Sequence, residues 1–160
     1  MDAFGAWLES TRVSGFMQHV VFAWPICACL HFIGLCLLIG TVGLFDLRLL
    51  GVAKGLLPSA MHRLIPWGVG GFIINLSTGV LFFIGQPFRY LHNPAFQLKL
   101  ALISVLGINM VVFYAGAYGK LAELGPDDGT PFRAKFAGAT SLILWIGVIC
   151  AGRMVAFFLP

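Results

Sequence analysis

The sequence predicts an all-α integral membrane protein, an antiparallel four-helix bundle with a short N-terminal interfacial helix, forming one domain over residues 1–160. The first observation behind this is composition: 59% of residues are hydrophobic and 10% charged, whereas a soluble domain carries about 25% charged residues. The second is four apolar stretches near 20–45, 66–88, 95–118 and 136–158, each long enough for a span of roughly 20 residues. The third is that turn-forming and charged residues fall between these stretches, and short connections make neighbouring spans antiparallel.

Before the first span, Phe4, Trp7, Leu8 and Phe16 suit a helix lying at the membrane surface. The segment 1–10 carries Asp2 and Glu9 but no basic cluster, and the apolar run after Gln18 exceeds the roughly 7–15 residues of a signal-peptide core. A retained N-terminus is therefore expected. Loop one holds Asp46, Arg48, Lys54, Gly55, Pro58, His62 and Arg63; loop two, 86–94, has two prolines; loop three carries Gly125, Pro126, Asp127, Asp128, Gly129 and Pro131. Arg48, Lys54, Arg63, Lys120, Arg133 and Lys135 fall on the side of loops one and three, against Arg12 and Arg89 on the side of the termini. The positive-inside rule then puts both termini on the periplasmic face of a bacterial inner membrane.

Function classes are narrowed by what these residues lack. The basic residues are scattered without an aromatic-interleaved patch, which speaks against nucleic-acid binding. The four cysteines, Cys27, Cys29, Cys36 and Cys150, lie in apolar segments and read first as small buried hydrophobes. Phosphate-binding loops, nucleophile elbows and paired carboxylates within the spans are absent from the pattern. Small residues such as Gly34, Gly40, Gly70, Gly71, Gly79, Gly138, Gly147 and Gly152 permit close helix approach, or make room for a flat cofactor. Asn75, Ser77, Thr78 and Asn109 imply a partly polar interior.

The sharpest clue is His31, near the middle of the first span, because an ionisable group at that depth is costly unless it meets a partner, cavity or cofactor. Counting helical rise from His19 puts His31 about 18 Å deep. His92 returns to the level of His19, while Lys99 and Arg153 sit about 6–8 Å deep. Two cations at one level, with no carboxylate in any span, suggest an anionic partner from outside the chain. Haem b meets the requirement: its propionates extend roughly 8 Å from the iron, so Lys99 and Arg153 would hold them with His31 as axial ligand. Lys99 is alternatively a second ligand, and His19 with His92 would bind a second haem or cap the first. A competing copper site uses Cys27 and His31, which share a helix face four residues apart, with Cys150 at a similar depth. The plain alternatives are that Lys99 and Arg153 snorkel to lipid phosphates, that His19, His62 and His92 are hydrated at the interface, and that His31 hydrogen-bonds a neighbouring helix. A cofactor-free structural or oligomerising subunit would then result.

Trp24-Pro25 through His31, the run Gly40 to Gly51, Asn93 to Lys99 and Gly152-Arg153 resemble an uncharacterised family of small bacterial four-span membrane proteins, over nearly the whole chain from Phe16. That family often has a glutamate three residues before the histidine; Ala28 stands there instead. A looser likeness, through His31 and Lys99, runs to HemJ-type protoporphyrinogen oxidases, which are haem-binding membrane proteins, and residues 96–109 look like a CopD-like copper-resistance domain. The expectation is a b-type cytochrome or cytochrome subunit near the periplasmic face, with one or two haems, a redox protein or quinone as partner, and a homo-oligomer as its assembly.

Overall fold

The computed structural model describes residues 2–52, 61–116, 118–119 and 129–158. Lys54, Gly55, Pro58, Lys120, the breaker residues Gly125 to Asp128 and the His62 side chain lie outside the described residues. Helices α1 (Asp2–Glu9) and α2 (Arg12–His19) precede the long helix α3 (Ala23–Leu50). A 3₁₀ turn, His62–Leu64, leads into α4 (Ile65–Gly85), and then come α5 (Pro87–Leu91), α6 (Pro94–Gly116) and α7 (Phe132–Met154). Helices α3, α4, α6 and α7 are each long and apolar enough to cross a membrane, with mean hydropathy of 1.7 to 2.2 in their most apolar windows. The protein is a multi-pass membrane protein.

Helix boundaries follow the local chemistry. Pro25, Pro66, Pro87 and Pro94 sit in first turns, where a missing N–H costs little. Asn93 caps α6, its Oδ1 accepting from the N–H groups of Ala95 and Phe96 at 3.0 and 3.2 Å. Helix α4 stops at Gly85, short of the expected residue 88, because Gln86 leaves helical geometry (φ −144°, ψ 65°) ahead of Pro87. Helix α3 instead runs five residues beyond the expected 45. It ends at Gly51, whose φ of 88° suits a left-handed cap. Gly51 N–H donates to Arg48 O and Val52 N–H to Leu47 O, a Schellman pair that satisfies the last carbonyls. Asp46 and Arg48, expected in loop one, are therefore buried helical residues. Arg48 donates from Nη1 to Thr130 Oγ1 at 3.5 Å.

Packing runs from α4 to α3 to α7 to α6, with α3 touching two long neighbours. The α3–α4 pair is the closest. A Cβ on Gly71 would lie 2.7 Å from Gly34 O and Leu38 N, and one on Gly34 would lie 2.9 Å from Gly71 O. These two glycines allow backbone contact, as the small-residue reading expects. Gly40 and Gly70 face no such neighbour. The N-terminal segment departs from expectation by forming two helices, with Thr11 capping the second. Leu8 is buried, whereas Phe4, Trp7 and Phe16 stay exposed as an interfacial helix requires. Met17 and Ser14 are buried beside α4, and Gln18 Nε2 donates to Gly85 O at 2.9 Å, anchoring α2 across the end of α4.

Candidate functional site

His31 belongs to a polar cluster joining α3 and α4. Its Nδ1 lies 2.7 Å from Thr78 Oγ1. The Thr78 hydroxyl also lies 2.7 Å from Ile74 O and 3.1 Å from Asn75 O, both of which accept only. A hydroxyl has one proton. With that proton directed to the helix carbonyls, Nδ1–H donates to Oγ1, and Nε2 carries the lone pair in this assignment of the network. Among the described residues no hydrogen bond reaches Nε2. Asn75 Nδ2 donates to His31 O at 2.8 Å, and the Cys27 thiol points to Thr78 O at 3.6 Å, so four side chains, Cys27 and His31 of α3 with Asn75 and Thr78 of α4, tie the two helices together. Gly79 leaves space beside the ring, since a Cβ there would lie 3.9 Å from Cε1. Phe82 meets the imidazole edge-on at a centroid distance of 5.7 Å and stacks on Trp24 at 4.8 Å.

Lys99 is half-buried on α6. Its side chain lies along Gly152 of α7, where a Cβ would sit 3.6 Å from Cδ and Nζ. The residue that Lys99 meets on α7 is thus Gly152, next in the chain to the Arg153 expected at its level. Arg153 itself is exposed. His19 and His92 are exposed at the ends of α2 and α5, and among the described residues no hydrogen bond or ring contact joins them. Phe83, Tyr90 and Phe96 form an aromatic cluster linking α4, α5 and α6, with centroids 5.1 to 6.4 Å apart. Burial pushes the Tyr90 phenol above its ordinary value.

The copper set does not assemble. Cys27 is buried against α4 and Cys150 is exposed. Among the described residues no group of three His, Cys, Asp or Glu side chains is placed to hold a metal ion. The neutral imidazole, with Nδ1 fixed and Nε2 open, is suited to donate its lone pair to a haem iron or to accept a proton.

Sequence reasoning missed Asp46, assigned to a loop. It is 4% exposed, accepts a hydrogen bond from the Ser141 side chain, and among the described residues its Oδ2 has no hydrogen-bond partner. The signal was present in Leu38, Val42, Phe45 and Leu49, an i, i+4, i+7, i+11 apolar series that continues past the expected helix end with Asp46 on its flank.

No curated protein and no solved structure matches this chain. The looser likeness to HemJ-type and CopD-like proteins gains no support from the comparisons. The pattern of one family does match residues 7–158. Nearly the whole chain, including every residue of the His31 cluster, lies within that match, and the protein belongs to the family of unknown function DUF6644.

Proposed function

We propose that this protein binds haem b and transfers electrons in the membrane, with His31 as an axial ligand. The observation that carries the reading is the Nδ1–Thr78 contact of 2.7 Å, which orients the ring and leaves Nε2 open. Metal-binding histidines characteristically donate their other N–H to such a partner. In this reading Lys99 would hold a propionate, and Gly79 and Gly152 keep bulk away from His31 and Lys99. Arg153, one residue beyond Gly152, adds a second cation at that level. Bound haem supplies reversible one-electron chemistry at an iron whose potential depends on its ligands and surroundings. In this reading both termini and the haem edge face the periplasm, and a quinone or a redox protein is the electron partner.

Ultraviolet–visible spectra of the purified protein, oxidised and dithionite-reduced, test the proposal. The expected result is a Soret band with sharp visible bands on reduction, depleted at least tenfold by His31→Ala while the protein stays in the membrane. Colourless protein from haem-replete cells overturns it. Copper lost on Cys27→Ser would instead favour a copper-handling protein, and absence of both would favour a cofactor-free subunit.

A further inference from the structure

At the opposite end of the bundle from His31, a cavity of about 410 Å³ opens between α4 and α6, floored by α3 and walled by α7. That volume lies within the roughly 300–1,000 Å³ range of small-molecule sites. Five aromatic side chains line it: Phe45, Phe72, Phe113, Tyr114 and Trp145. Among the described lining residues the one carboxylic acid is Asp46. Ser141 hydrogen-bonds this carboxyl group, while among the described residues the buried Oδ2 has no hydrogen-bond partner. Arg48, two residues along α3, is directed to Thr130, consistent with i and i+2 residues facing different ways on a helix.

We propose that this cavity binds an organic cation, a quaternary ammonium or protonated lipophilic amine whose charge rests against Asp46 and whose apolar body lies among the aromatic rings. A buried carboxylate oxygen requires a counter-charge or hydrogen-bond donor, and leaving it bare is costly. Ring faces attract the same cation through their quadrupoles, so the aromatic and acidic parts of the lining select one charge sign. An anion of equal size meets the unfavourable counterpart of both effects. The site is separate from the His31 cluster and stands whether or not haem binds there.

Equilibrium dialysis of the purified full chain with tetraphenylphosphonium tests the inference, using tetraphenylborate as an anion of matching size and shape. The expected result is saturable binding of one phosphonium per chain, with the borate at least tenfold weaker. Asp46→Asn should weaken the phosphonium at least tenfold without weakening the borate. Equal binding of both ions, absence of saturable phosphonium binding, or an unchanged affinity in Asp46→Asn would overturn the proposal. Gly107→Phe provides a second route if the asparagine variant fails to fold. Gly107 lines the cavity, a Cβ there meets nothing within 4 Å, and leaving glycine favours the helix. Loss of phosphonium binding in that variant is expected, and retention at wild-type affinity overturns the proposal.

Discussion

His31 and Asp46 lie on the same helix, and each has one polar atom satisfied and one left open. Thr78 decides the orientation of the first. Replacing it by valine preserves shape but removes the oxygen that receives Nδ1–H, so Thr78→Val should weaken haem retention about 10–100-fold, measured by transfer to apomyoglobin. Unchanged transfer would detach Thr78 from the site. Lys99 offers two distinguishable roles. An ammonium near a propionate contributes charge, so Lys99→Arg should retain haem and the ferric low-temperature electron paramagnetic resonance spectrum. A ligating lysine must be a neutral amine, and a guanidinium does not replace it. Conversion to a high-spin signal in Lys99→Arg would therefore assign ligation to the lysine.

At the scale of elements, two contacts determine how helices meet. Gly34 and Gly71 bring α3 and α4 together so closely that an added Cβ at Gly71 would meet backbone atoms at 2.7 Å, and backbone yields little. Gly71→Ala should lower stability by about 1–3 kcal/mol through overpacking. Gly70→Ala is the internal control, because its Cβ meets nothing within 4 Å. Thermal melts in detergent distinguish the two, and equal melting would mean that the crossing is not tight. Asn93 joins three elements: besides capping α6, its Nδ2 donates to Val155 O at 3.0 Å and Phe158 O at 2.8 Å beyond α7. Asn93→Ala leaves backbone groups unpaired at both helix ends and should cost about 1–3 kcal/mol. Asn93→Asp keeps the capping acceptor but sets a buried carboxylate oxygen against the two carbonyls that Nδ2 satisfies, so its melting point should rise no higher than that of Asn93→Ala.

For the whole molecule, the distribution of apolar surface is the governing fact. Large hydrophobic side chains such as Phe32, Ile73, Ile108, Val112 and Ile143 are exposed along all four long helices, an arrangement suited to lipid contact and incompatible with an ordinary aqueous surface. The proposed orientation is tested by reporter fusions. A C-terminal alkaline phosphatase should be active and one inserted near Asp127 inactive. The reverse pattern would move the His31 end to the cytoplasmic face and replace the electron partner.

The four spans were legible in the sequence because lipid imposes a long, nearly uninterrupted apolar run that needs no knowledge of neighbours. His31 stood out for the same reason: one polar residue is conspicuous against such a background. Its partner was not legible, because Thr78 lies on another helix and inter-helix rotation decides which side chains meet. Loop one shows the reverse error. Charges at Asp46 and Arg48 marked a connection by composition, but the glycine that permits a left-handed cap comes only at Gly51, and burial against Ser141 and Thr130 accommodates the polar groups. Membrane residence and the four spans, with interior polar residues such as His31, Asn75 and Thr78, were readable from the residues alone. Tertiary structure decided which of them face each other, since packing angles and helix rotation arise from close contacts such as Gly34 with Gly71, between residues far apart in the chain.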